Sequence, residues 1–262
     1  MDLLYLLLIA IGLLVAMAAA WAVQRKTGAS GWIDTIWSFA VGIGGIAAII
    51  AADGTPERRL AAFLLIAVWS IRLGSHIVTR TKGAGEDPRY AKLVEEWGEQ
   101  ASLRLFVFLQ IQALAGFILV LAIYLAAAST TAFPSVLDMV AIILALSALA
   151  GEALSDRQLS KFRKTPEAKT GVCEEGFWRY SRHPNYFFEW LYWCAWPLLA
   201  LTGPSPWSWA ALLAPALMYW LLVHASGIPP LEQHMLRSRG EKFRSLQRRV
   251  NAFFPGPRKE EA

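Results

Sequence analysis

Charge is what this 262-residue sequence has least of for its size: Asp, Glu, Lys and Arg make up 17% of it, against 56% hydrophobic residues. A soluble domain carries about a quarter charged residues, spread along the chain, whereas here they are clustered, so a water-solvated globule is excluded. Cysteine is nearly absent as well. Cys173 and Cys194 are too few for a disulfide framework and read as reduced thiols with a structural role. The histidines, His76, His183, His224 and His234, are scattered without ligand spacing, so no metal site is expected. No basic residue precedes the first apolar run, which also exceeds the length of a signal-peptide core, so it is expected to remain as a helix.

What the sequence has instead is a series of apolar stretches, each near the roughly 20 residues that a helix needs to cross a bilayer. They are Leu3–Val23, Thr35–Ala52, Leu60–Thr79, Leu105–Ala128, Leu137–Ser155, Asn185–Leu201 and Trp207–Ile228, the last two parted by the turn-forming run Thr202-Gly203-Pro204-Ser205-Pro206. The expected fold is an all-α polytopic membrane protein of seven transmembrane helices. Lys and Arg are retained on the cytoplasmic side, and they gather after the first, third, fifth and seventh spans, while the loops after the fourth and sixth carry none. The N-terminus is therefore expected outside and the C-terminus inside, with only Arg58 and Arg59 on the wrong side. The net charge of +5 then reads as an orientation signal, doubled as an anion site, and not as a nucleic-acid surface.

Residues 1–262 read as a single domain whose halves differ. Residues 1–128 are plain and rich in small residues, and the chain after Ser155 is dense in polar and aromatic ones, so 129–262 is where function is expected. The run Gly42-Ile43-Gly44-Gly45-Ile46-Ala47 matches a dinucleotide fingerprint, but it lies inside an apolar span and is read as close helix packing.

Two stripes carry the chemistry. Pro184 can open a helix, and from it Asn185, Glu189 and Trp193 follow at i, i+4 and i+8 on one face. An ionisable Glu189 inside a membrane helix is costly, so it marks a functional site, or else a structural ion pair with a neighbouring helix. The second stripe leaves the fifth span as Glu152, Asp156, Ser160 and Arg163, with Arg157, Gln158 and Lys161 beside it. Carboxylates accept from sugar hydroxyls and Arg forks match phosphates, so this stripe suits a ligand having both; the alternative is a solvated helix face. His183, between Arg182 and Asn185, suits hydrogen bonding towards an anion. In the tail, Glu232 to Asn251 reads as amphipathic helix, with Arg248 and Arg249 reaching either cofactor phosphates or lipid head groups.

The run Ser155-Asp156-Arg157-Gln158-Leu159, Phe162-Arg163-Lys164, then Gly176-Phe177-Trp178-Arg179-Tyr180-Ser181-Arg182-His183-Pro184-Asn185-Tyr186-Phe187-Phe188-Glu189, and the closing Asn251-Ala252-Phe253-Phe254-Pro255, resembles bacterial steroid 5α-reductase-like membrane proteins of the 3-oxo-5α-steroid 4-dehydrogenase family. The Arg-His-Pro corner is also similar to that of membrane sterol reductases and isoprenylcysteine carboxyl methyltransferases. The loop Glu86-Asp87-Pro88-Arg89-Tyr90 with Trp97-Gly98 resembles the bacterial branch. The resemblance implies NADPH as cofactor, bound at the cytoplasmic face of a bacterial inner membrane. The contacts it implies are Asp156, Arg163, Asn185, Glu189 and Trp193, and more loosely Arg157, Trp178, Arg182, His183, Tyr186, Glu232 and Arg248.

In such reductases a carboxylate on the second helix and a tyrosine on the third hold the substrate ketone. The best register here puts Thr35 at the first position, with Asp34 one residue before it, and Trp69 at the second. The expected reaction is hydride transfer to the C=C bond of a lipophilic enone arriving from the bilayer, with Asp34 or Trp69 donating to the carbonyl oxygen. Arg72, near Trp69, would instead make Asp34 half of an ion pair. The alternatives are an S-adenosylmethionine-dependent methyltransferase of the isoprenylcysteine type, which needs no phosphate site, and a non-catalytic lipid-binding membrane protein. No nucleic acid and no obligate protein partner are expected.

Overall fold

A computed structural model describes residues 3–83 and 87–259; Glu86 of the loop motif lies outside the described residues. Among the described residues there is no strand. Ten α-helices follow one another: α1 Leu3–Thr27, α2 Gly31–Ile50, α3 Pro56–Gly83, α4 Pro88–Trp97, α5 Ala101–Ala127, α6 Val136–Phe162, α7 Pro184–Ala200, α8 Leu213–Trp220, α9 Ile228–Arg239 and α10 Glu241–Arg249.

Among the described residues six helical stretches are long and apolar enough to cross a membrane, the make-up of a multi-pass integral membrane protein: α1, α2, most of α3, Arg89–Ala127, α6 and Pro206–Arg239. The expected span not among them is Asn185–Leu201, which forms α7, whose 17 residues rise only about 25 Å, short of a hydrocarbon core of about 30 Å. Nor is the expected span Trp207–Ile228 one regular helix. Its start, Pro206–Leu212, is a 3-10 turn, α8 follows, and Leu221–Ala225 widens to a π turn before α9. The outer faces are apolar: Leu4, Leu8, Ile11 and Val15 of α1 and Val136, Ile143 and Leu146 of α6 are exposed, as lipid-facing side chains are.

The chain divides into two compact units, Met1–Ile142 with Cys194–Ala214, and Ile143–Trp193 with Pro215–Ala262, where the sequence reads as one domain. In the first unit α2 packs on α1, α3 and α5. Its glycines make the approach possible: a Cβ on Gly42 would fall 2.2 Å from Ser70 Oγ of α3, and one on Gly45 2.9 Å from Ile123 Cδ1 of α5. The fingerprint-like run is thus a helix-packing surface.

The two basic residues that dissented from the charge pattern are used inside this unit. Arg58 is 1% exposed and grips Asp138, 0% exposed, through two hydrogen bonds of 2.7 and 2.9 Å, with Phe133 against the guanidinium. Arg59 donates to the carbonyl oxygens of Ile49 and Ile50 at 3.0 and 3.1 Å, closing the end of α2. Neither is a free loop charge, so neither counts as an orientation signal.

Candidate functional site

In the second unit a clasp forms around the Arg182-His183-Pro184 corner. Gly176, at φ +57, has no room for a side chain against the Gln158 amide, and the turn it makes lets Phe177 N–H donate to Gln158 Oε1 at 3.0 Å and Trp178 Nε1 to the Ser155 carbonyl at 2.9 Å. This seats Gly176–Arg179 on α6. The chain then reaches Arg182, whose guanidinium pairs both oxygens of Glu232 on α9 at 2.7 and 3.1 Å, and also donates to the carbonyls of Gln247, at 3.3 Å, and Val250. Gln247 Nε2 and His183 Nε2 meet the same Glu232 carboxylate at 2.7 and 3.2 Å. Ser181 donates to the Phe253 carbonyl at 2.8 Å, so the Asn251-Ala252-Phe253 segment is strapped to the start of α7. Burial pushes the His183 imidazole below its ordinary pKa, against the opposing pull of Glu232, and the ring stacks on Tyr186 with centroids 5.7 Å apart.

Beside the clasp the two stripes meet. Asn185 Nδ2 donates to Asp156 Oδ1 at 3.3 Å, and one turn further along α7 Trp193 Nε1 donates to Glu189 Oε1 at 2.8 Å. Asp156, Glu189 and Trp193 are all buried, at 8%, 6% and 0% exposure. Along α6 Glu152 and Asp156 are buried while Ser160 is exposed, and the helix ends at Phe162, which puts the exposed Arg163 just beyond its last turn. A carboxylate buried with a neutral donor keeps acceptor capacity for a ligand hydroxyl or amide.

The implied contacts thus fall into three groups. Asp156 with Asn185, and Glu189 with Trp193, are brought together. Arg182, His183 and Glu232 form the clasp and spend much of their hydrogen-bonding capacity on one another, with Tyr186 stacked on the His183 ring. Arg157 and Arg163 stand on the exposed side of the α6 end, Trp178 is tied to Ser155, and Arg248 pairs at 3.0 Å with Glu241 on α10.

The substrate-side residues lie in the first unit. Asp34, in the first turn of α2, accepts from the Arg89 guanidinium and, at 2.8 Å, from Tyr90 Oη, both at the start of α4. Gln112 Nε2 of α5 donates to Tyr90 Oη at 3.1 Å, and Trp37 Nε1 to the Gln112 carbonyl at 3.1 Å. Asp87 caps α4 by accepting from Arg89 N–H at 3.0 Å and also holds the Arg89 side chain. Burial opposes its charge, but the adjacent Arg89 and Arg80 outweigh that and hold its carboxyl down to about 2. Trp69 is fully buried and packs edge-on against Trp37 with centroids 6.3 Å apart, and Arg72 is half-buried on α3.

Against known proteins, a family model described as Protein of unknown function (DUF1295) matches residues 20–250. The chain belongs to this family. No curated protein and no solved structure matches it.

For this DUF1295 member, the sequence reading passed over Arg89, Tyr90 and Gln112. The motif Asp87-Pro88-Arg89-Tyr90 was visible as a resemblance, but its role was not, because Tyr90 reaches a carboxylate 56 residues away. An acidic cap followed by Arg-Tyr, facing a lone Asp at another helix start, is the signal that could have found it.

Proposed function

We propose that the chain is an NADPH-dependent membrane reductase that saturates the C=C bond of a lipophilic α,β-unsaturated ketone, as a steroid 5α-reductase does. The observation that carries the reading is the pair of buried carboxylates, Asp156 and Glu189, each hydrogen-bonded by a neutral side chain, Asn185 and Trp193, on facing helices of the second unit. Buried carboxylates without such donors would be costly, and on this reading their oxygens also accept from ribose hydroxyls or a carboxamide. The donor set fits a dinucleotide: Asp156, Asn185 and Glu189 for the sugar and amide groups, and the exposed Arg157 and Arg163 for phosphates.

When bound, NADPH supplies the hydride that adds to the β-carbon. The chain's own residues do the rest. The Arg182–Glu232–His183 clasp fixes the start of α7 and so the direction in which Asn185 and Glu189 point. Negative charge develops on the ketone oxygen, and a donor preorganised there is worth about 3–4 kcal/mol. The reading assigns that donor to the Trp69 indole, because Tyr90 donates its single hydroxyl proton to Asp34, which acts there as an acceptor. The resulting enolate takes a proton at its α-carbon, which completes the reduction. The reading includes seven membrane crossings, with α7 as the shortest, the N-terminus outside and the cofactor side facing a bacterial cytoplasm.

Mass spectrometry of the nucleotide that co-purifies tests it directly. NADPH or NADP is expected. Recovery of S-adenosylmethionine would make the chain a methyltransferase, and failure to retain or bind any nucleotide would leave a lipid-binding protein. Glu189→Gln is expected to weaken NADPH binding roughly tenfold, the scale of one charged hydrogen bond, with little change in folding because Gln still accepts from Trp193. Titration of NADPH fluorescence against the purified variant reads this out.

A further inference from the structure

The lipid-facing side of α6 changes character at its C-terminal end. Val136, Val140, Ile143, Ala150 and Leu154 are exposed along one side of the helix, while Ala141, Ala145, Ala148, Glu152 and Ser155 are buried along the other. From Val136 to Leu154 the apolar side rises about 27 Å, close to a hydrocarbon core of about 30 Å. Leu154 is its last exposed apolar residue, and at i+7 from it, on the same side, stands the exposed Lys161. The Lys161 Cα lies about 10 Å beyond that of Leu154, and a head-group layer is about 5–7 Å deep. A lysine stem leans towards the N-terminal end of its helix, here back towards the apolar side, so its ammonium reaches the level of the lipid phosphates.

The end of the helix then tightens. Lys164 N–H donates to the Lys161 carbonyl at 3.1 Å and Thr165 N–H to the Phe162 carbonyl at 2.9 Å, the i to i+3 bonding of a 3-10 turn, in which side chains three apart share a side. Two exposed lysines are thereby set side by side. Among the described residues neither ammonium enters a hydrogen bond or an ion pair. The run from Arg157 to Lys164 holds four basic residues and no carboxylate, and the exposed Glu167 and Glu175 belong to the turns that follow. Like charges so placed repel, and an anion beside both relieves the repulsion.

We propose that Lys161 and Lys164 bind the phosphate of an anionic lipid in the leaflet at this end of α6. A phosphate head group without a cation of its own supplies the charge that the pair lacks, whereas phosphatidylcholine carries an ammonium that opposes it. Arg157, which the reductase reading gives to the cofactor, is not part of the site, so the two proposals fail separately.

The test reconstitutes the full chain in phosphatidylcholine nanodiscs with rising fractions of phosphatidic acid and follows hydrogen exchange at residues 157–165. Phosphatidic acid is expected to protect this segment. The fraction giving half-maximal protection should rise roughly fivefold in Lys161→Gln and again in Lys164→Gln. The double replacement Lys161→Arg with Lys164→Arg should keep the protection, as should Arg237→Gln, which removes an exposed charge from α9. Both lysines are exposed, and the Arg pair keeps the test valid should a Gln variant loosen α6. The site does not exist if phosphatidic acid protects no better than phosphatidylcholine, if the Gln variants keep the protection, or if Arg237→Gln loses as much as they do. Equal protection by inorganic phosphate in detergent would overturn the lipid as its ligand.

Discussion

Buried carboxylates in the two units meet different donors. In the first, Arg58 and Asp138 close on each other with no exposure to speak of, and Asp34 is closed by Arg89 and Tyr90. In the second, the buried Asp156 and Glu189 accept from Asn185 and Trp193, and Arg182 pairs with Glu232 in the clasp. A guanidinium fork on a carboxylate occupies both of its oxygens, whereas a single amide or indole N–H occupies one lone pair. On the proposed reading the first unit is scaffold with one polar cluster, and the second is the binding side.

The strongest way to break that contrast is Asp138→Asn. It leaves the Arg58 charge buried and uncompensated, and the expected loss is about 3–5 kcal/mol of stability, seen as a lower unfolding temperature in detergent. If Asp138→Asn unfolds at the wild-type temperature, the pair is not what holds the start of α3 to α6. Next in size is Glu232→Gln, which removes the charge that Arg182 and His183 share. A loss of about 1.5–3 kcal/mol is expected, confined to the second unit, so hydrogen exchange should rise at α7, α9 and α10 while α1 to α3 stay protected. Uniform loosening of both units would erase the distinction.

A pH series sharpens the first unit alone. The Asp87 carboxyl is held at about 2, below its ordinary 3.8, so the folded state binds its proton more weakly than the unfolded one. Its contribution, on the order of 2 kcal/mol, is fully present above pH 3.8 and is lost as pH falls from there through about 2. Wild type should therefore exceed Asp87→Asn in stability by a constant margin from pH 5 to 8, and the margin should vanish in acid; a margin that changes between pH 5 and 8 would assign the effect to another group. The smallest effect belongs to Lys92→Gln, which breaks the exposed i,i+4 pair with Glu96 and should shift stability by less than about 0.5 kcal/mol. A larger shift would mean that α4 depends on surface charge and not on its cap at Asp87.

Much of the architecture was legible because it is local. Hydropathy over about 20 residues located α1, α2, α3 and α5 to within a few residues and the start of α6, which runs on past Ser155 to Phe162, and helical spacing put Asn185, Glu189 and Trp193 on one face. Pro184 opened α7 as its fixed φ requires. The last third of the chain was harder. A continuous apolar run from Trp207 does not reveal that the helix begins as a 3-10 turn and widens at Leu221–Ala225, since those changes come from packing and not from composition.

The amino-acid order by itself determined that this chain is helical, apolar enough to cross a membrane several times, and polar on two stripes after Ser155. Those properties follow from periodicity and burial preference, which each segment carries alone. The tertiary structure decided which charges close on which: Arg58 on Asp138 across 80 positions, Tyr90 on Asp34 across 56, and Arg182 on Glu232 across 50. A hydrogen bond extends about 3 Å in space and is indifferent to sequence distance, so partners of this kind exist only once the helices have packed.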